Sequence, residues 1–400
     1  MLIQFIVAVA VGVIAGTFTG LIPGIHINLI GVFLVSLSAT IFSSVNPTYL
    51  AVFIVSMAIT HTFLDFIPSI FLGCPDTDTE LSVLPGHELL KKGLGYEAVI
   101  LTSYGSLMAI FTLILISFPF ILIVDKIYNF LKLEYVTATV LITASVFLIA
   151  SEKKKLPSLF VFLLSGFLGF CVLNSGINQP LLPLLTGLFG SSMLIISIRN
   201  KIKIPEQKLI INNEGLKKPI LKAFIGSLIA SPMCSFLPGL GSGQAAIIGN
   251  TISRTNQRGF LILLGATNTL VMGFSFITLY TISKTRTGAA VAIKEILSKI
   301  STEIFFYLIS AVILTGIISF FLTKFLAKVF SQKMEKLNYT MLSIITLIIL
   351  VIIVFLISGI SGLAVLGVST FTGIYCISLK VRRTNMMGCL LIPTIILYLF

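Results

Sequence analysis

The sequence predicts an all-α polytopic membrane protein of two inverted-topology repeats, each a re-entrant-type helical hairpin with a Pro-Gly tip followed by about five transmembrane helices. Three observations predict it. Of 400 residues, 56% are hydrophobic and only 10% charged, with a mean hydropathy of +1.10, which leaves too little polar surface to coat a soluble globule of this length. Apolar runs near the ~20 residues that a helix needs to cross hydrocarbon recur along the whole chain. Lys and Arg gather in short loops between those runs, and two of the runs are broken by Pro and Gly.

The N-terminus, "MLIQFIVAVAVGVIAG", carries no charge ahead of its apolar run, as a cleavable signal would, so it is expected to be retained as the first membrane element. Leu2 to Gly20 and Ile27 to Phe42 flank "GLIPGIHIN", and their outer ends carry no Lys or Arg. This first hairpin, residues 2–42, is therefore expected to open to the outside. Spans follow from Thr48 to Ile198. The basic clusters are Lys153 to Lys155, Arg199 to Lys208 with Lys217 and Lys218, Arg254 with Arg258, Lys324 to Lys336, and Lys380 to Arg383. The positive-inside rule assigns all five to the cytoplasm and leaves the connections near Asn46, Asp125 to Glu134, Asn174 to Leu182 and Ser358 to Gly362 outside. Residues 199–219 then form a basic cytoplasmic linker. Ile220 to Phe236 and Leu240 to Ser253 have basic residues at both outer ends, so residues 220–253 must enter and leave on the cytoplasmic side, with "LPGLGSG" as the tip. Spans resume at Phe260 and run to the C-terminus. An odd number of crossings after the first hairpin inverts the second repeat, 220–400, relative to the first, 1–198.

The net charge of +13 is what this placement of cations produces unaided, and no nucleic-acid partner is implied. Cys74, Cys171, Cys234, Cys376 and Cys389 are odd in number, share no CxxC spacing and lie mostly in apolar runs, so neither a metal site nor a disulfide framework is indicated.

Non-helical backbone at membrane depth is tolerated only where it is buried in protein or lines a cavity, which makes the two Pro/Gly tips candidate ligand sites. A break before a helix exposes free N–H groups and the positive end of the helix dipole, which together attract carboxylates. In the second tip, Pro238, Gly239, Gly241 and Gly243 bring the backbone close, while Ser242 and Gln244 offer side-chain hydrogen bonds. The first tip, with Pro23 and Gly24, offers His26 and Asn28 instead. Two further segments interrupt the apolar rhythm at matching places in the repeats. "GCPDTDTELSVLPGHELLKKG" carries Asp76, Thr77, Asp78 and Thr79, whose alternating oxygens suit a hard cation such as sodium. "SKTRTGAAVAIKE" places Arg286 between Thr285 and Thr287, where its planar fork would clamp a carboxylate.

At these residues the chain resembles the large membrane subunit of the tripartite tricarboxylate transporters, the TctA family. The likeness lies in "LIPGIHINLIG" and "FLPGLGSGQAA", the second being the closer match, in "LPGHELLKKGLGYEAVILTSYGS", and in "GATNTLVMG" followed by "TGAAVAI". The chain departs from the family pattern at Pro75 to Thr77 and at "TRTG". The resemblance adds Asn268 to the candidate substrate site. It implies import of a di- or tricarboxylate coupled to Na+ or H+, with no other cofactor. It also implies a small membrane subunit and an extracytoplasmic substrate-binding protein as partners, and leaves a homodimer open. A passive anion channel is the alternative, distinguished by the absence of concentrative uptake. An intramembrane serine enzyme would need a histidine base from His26, His61 or His87 beside Ser242. A dinucleotide fold is excluded, since the glycine-rich run follows no strand.

Overall fold

The computed structural model describes residues 2–22, 45–73, 78–131, 134–199, 205–212, 214–235, 237, 240–285, 287–297, 299–334 and 339–399. All regular structure among them is helical, and eight helices are long and apolar enough to cross a membrane. This is a multi-pass membrane protein.

The N-terminal helix α1 (Leu2–Leu21) lies along α2 (Pro47–Leu64). Gly12, Gly16 and Gly20 line that contact, where a Cβ on Gly16 would meet the Met57 carbonyl and Thr60. Small residues let two membrane helices approach until their backbones nearly touch, which in lipid replaces the hydrophobic drive available in water. Asn46 starts α2 by accepting from the Thr48 N–H at 2.9 Å, ahead of Pro47 in the first turn. At its far end the helix stops at Asp65 and restarts as α3 (Phe66–Phe71). Pro68 has no N–H to give the Leu64 carbonyl, which explains the break. After the acidic segment come a short turn at Glu80–Ser82 and α4 (Val83–Leu90).

Four further stretches complete the first half: α5 (Gly95–Leu131), α6 (Glu134–Ala150), α7 (Lys155–Leu173), and α8 (Leu181–Leu185) continued through a π-helical turn into α9 (Ser192–Arg199). The linker reaches back to the same face, where Lys208 N–H donates to the Gly93 carbonyl and Gln207 Oε1 accepts from the Gly95 N–H.

The second half begins with α10 (Lys217–Cys234) and α11 (Ser242–Ser253). They pack side by side with Gly226 against Gly249, and Lys222 Nζ donates to the Arg254 carbonyl at 3.2 Å. The outer ends of the pair therefore lie together. Beyond it run α12 (Gln257–Ile282), α13 (Gly288–Ile296), α14 (Thr302–Met334), α15 (Tyr339–Ser378) and α16 (Gly388–Leu399). Gly359, at φ 66°, interrupts α15 with backbone that only glycine adopts freely, so this 40-residue helix is two pieces.

The centre is the contact of α5 with α12, where Gly105 and Gly265 bring the two backbones together. Arg258, at the start of α12, pairs with buried Glu97 in the first turn of α5 at 3.0 Å. The more lipid-like faces belong to α1, α5, α7, α14 and α15, which expose Phe, Leu and Ile side chains along their length.

Candidate functional site

The helix that begins at the second tip points into the first half of the chain. Its first residue, Ser242, is 2% exposed, and its hydroxyl donates to Asp78 Oδ1 at 2.6 Å. Glu80, 1% exposed, brings Oε1 against Gly243, so a Cβ at that glycine would collide with the carboxylate and stand 3.2 Å from Met387 Cε. The tip and the acidic segment, which the sequence offers as two separate sites, are thus one place. The positive end of α11 lies against two of the protein's own carboxylates.

Two of the expected ligands make hydrogen bonds at the tip. Gln244 Oε1 accepts from the Gly241 N–H at 2.9 Å, which closes the first turn, and Ser242 donates to Asp78. Both side chains bond within the protein. Gly243 is needed because it leaves room for Glu80.

A buried polar seam continues away from the tip. Thr79 Oγ1 and Ser69 Oγ share a 2.6 Å hydrogen bond, and Ser69 also donates to the Asp65 carbonyl. Asp65, 3% exposed at the break between α2 and α3, accepts from Asn268 Nδ2 of α12 at 2.8 Å. Thr62 and Thr269 meet at 3.1 Å, and His61 Nδ1 lies 3.1 Å from Thr19 Oγ1. Asn268 is therefore placed at a junction of the two halves. Thr285 and Thr287 form a separate cluster, bonding Ser275 at 2.9 and 2.7 Å, with no hydrogen bond to Ser242 or Asp78.

The expected positions Pro23, Gly24, His26, Asn28, Asp76, Thr77, Pro238, Gly239 and Arg286 lie outside the described residues. Among the described residues, no three His, Cys, Asp or Glu side chains could share a metal ion. A cation here would be held by one or two carboxylates with hydroxyl and carbonyl oxygens, the donor set of an alkali or alkaline-earth ion.

Below the tip the protein is hollow. A cavity of about 730 Å³ has Glu80 in its wall, with Phe189, Ile247 and Phe260 beside it, and exposed Ser151, Arg254, Asn256 and Arg382 at its rim. Those rim residues belong to the loops that the positive-inside rule places in the cytoplasm.

Two buried groups were not singled out as site residues by the sequence. Asp65 is an acid inside an apolar run, a signal that was available, since ionisable residues at membrane depth usually serve function. Glu80 was legible only as part of an acidic segment. His87 is buried as well: its Nδ1–H donates to the Ile70 carbonyl at 2.7 Å. Burial pushes its pKa down to about 3, helped by the Lys91 and Arg383 charges and opposed by the Ile70 bond.

A profile of the tripartite tricarboxylate transporter TctA family matches residues 6–388. An uncharacterized protein of Methanocaldococcus jannaschii is 31% identical over 399 residues, covering 97% of each chain. No solved structure matches the chain.

Proposed function

The chain belongs to the tripartite tricarboxylate transporter TctA family, and from that premise we propose that it is the large membrane subunit of a cation-coupled carboxylate importer. The carrying observation is that α11 of the second half begins against Asp78 and Glu80 of the first, beside a cavity that leads to the basic face.

The arrangement supplies a reason for coupling. A substrate carboxylate attracted to the α11 terminus meets two carboxylates already there, and like charges in a buried site repel. A Na+ ion among Asp78, Thr79 and Glu80, or a proton on either acid, removes that repulsion. Cation binding thus precedes substrate binding, and neither moves alone. Asp65 and Asn268, bonded across the two halves, would have to part or re-form as the halves move.

The reading includes two inverted repeats, 1–198 and 220–400, joined by 199–219. Several features support it. Thr60-His61-Thr62 and Thr267-Asn268-Thr269 stand 207 positions apart, and Thr62 meets Thr269, as equivalent residues do on a two-fold axis. A serine–threonine latch occurs in both halves, Ser69 with Thr79 and Ser275 with Thr287. Substrate would sit between the two tips near the bilayer midplane. The tripartite description extends the proposal to a small membrane subunit and an extracytoplasmic binding protein. Ser242 has no histidine bonded to it among the described residues, so the geometry gives a serine enzyme no support.

The test is ligand stabilisation of purified protein. A di- or tricarboxylate should raise the melting temperature in Na+, or at low pH, and much less without either, because a ligand bound only to the folded state stabilises it. Stabilisation by carboxylate that ignores both cations would sink the coupling scheme.

A further inference from the structure

Arg383 sits in the wall of the cavity, 8% exposed. Its Nη2 donates only to the Met193 sulfur at 3.4 Å, a weak acceptor, and its Nη1 is buried with no partner. A guanidinium buried in this state is costly, since a charge taken from water needs a counter-charge or a full set of hydrogen bonds. Snorkelling does not account for it, because the head group is not in water. Glu88, the acid whose charge reaches Arg383, makes no hydrogen bond to it and accepts instead from Gln257 Nε2 at 2.7 Å, while Glu152 pairs with the neighbouring Arg382 Nε at 3.5 Å. Arg254 stands at the rim, its guanidinium 5.0 Å from the centre of the Phe147 ring. The cavity therefore presents one deep, under-bonded guanidinium and one exposed guanidinium, with Glu80 also in its wall beside the tip.

We infer that this cavity is a second carboxylate-binding station, on the cytoplasmic side of the tip. Arg383 receives one carboxylate of the departing substrate in a two-bond fork, and Arg254 receives another. The volume suits a ligand of that size, since small-molecule sites run from about 300 to 1,000 Å³. Two cations at different depths favour a di- or tricarboxylate over a monocarboxylate. The inference rests on the transport reading but assigns residues outside the tip, and it makes release a two-step event.

The experiment uses full-length protein without native cysteines, carrying Thr255→Cys in the cavity wall, reconstituted with its small membrane subunit and binding protein in phosphatidylcholine vesicles with no net headgroup charge. The rate of modification by a thiol reagent is measured with and without citrate, alongside citrate uptake. Citrate should slow modification several-fold. Arg383→Met should weaken that protection about tenfold, the scale of losing one charge-assisted fork, with Arg383→Lys in between. Arg254→Gln gives an independent, exposed variant should the buried one fold poorly, and it should weaken protection as well. Gly243→Val should abolish uptake yet keep the protection. Equal protection in Arg383→Met and the parent overturns the assignment. Uptake of citrate with no protection in the parent overturns the station and leaves transport standing, whereas neither uptake nor protection overturns both. Equal protection by inorganic phosphate, or by added phosphatidylglycerol, overturns the carboxylate class.

Discussion

Replacing Gly243 by alanine adds one methyl group at the point where the tip meets Glu80. The new Cβ would lie on Glu80 Oε1, within 3.2 Å of Met387 Cε. The carboxylate must retreat by about 1 Å to reach ordinary van der Waals distance. It is the end of a flexible side chain beside the cavity and can turn aside, so the packing cost lies at the low end of overpacking, about 1 kcal/mol. Moving the charge off the α11 terminus forfeits roughly another 0.3–1 kcal/mol. If Glu80 belongs to the cation site, part of this penalty appears in cation affinity, a shift on the order of 5- to 150-fold for 1–3 kcal/mol. The assay is the Na+ or pH dependence of citrate uptake in vesicles, with melting temperature measured on the same preparation. Gly243→Ala should need more cation for half-maximal uptake, and Gly243→Val should abolish uptake while still inserting and purifying as one species. Glu80→Gln, which keeps the shape and removes the charge, should reproduce the cation defect without the packing cost. Unchanged cation dependence in both Gly243→Ala and Glu80→Gln would refute the reasoning.

His87 makes stability depend on acid. Its pKa is about 3 when folded and near 6.5 when exposed, so the unfolded chain binds the extra proton between those values. Stability is therefore complete above pH 6.5 and falls toward pH 3, by up to about 1.4 kcal/mol per pH unit from this group; melting curves should show a shallower fall in His87→Asn, and an identical one would contradict the burial argument. Gly226→Ala would place a Cβ 2.6 Å from the Gly249 carbonyl oxygen and force the α10–α11 pair apart, lowering stability by roughly 1–3 kcal/mol in thermal melts. Cysteines introduced at Asn46 and at Ser175 should be labelled by an impermeant reagent from outside, whereas cysteines at Lys154, Lys217 and Arg258 should not. Labelling at Arg258 but not Lys217 would mean that residues 220–253 cross the membrane once.

The membrane class was legible because lipid imposes a strong constraint: apolar length sets the spans. Pro238 and the glycines after it signalled the break before Ser242, since backbone of that kind is not continued in a helix. What composition could not convey was the contact between Ser242 and Asp78, residues 164 positions apart in the chain. Such pairing is decided by helix packing, which the spacing of apolar residues does not convey. Asp65 was hidden for a different reason. It stands in "THTFLDFIPSIF", where the apolar neighbours on both sides read as an ordinary span. Arg383 was absorbed into a basic cluster that topology explains, and only its burial separates it from Arg382, whose side chain is 63% exposed.

Uptake against a gradient tests the central claim most directly. The protein, reconstituted with its small membrane subunit and binding protein, is given citrate at equal concentration inside and out, and an inward Na+ or proton gradient is then imposed. The account predicts accumulation above the outside concentration, collapse on adding an ionophore for the coupling cation, and no accumulation in Glu80→Gln. Citrate that moves freely but never accumulates would identify a passive pore and contradict the account.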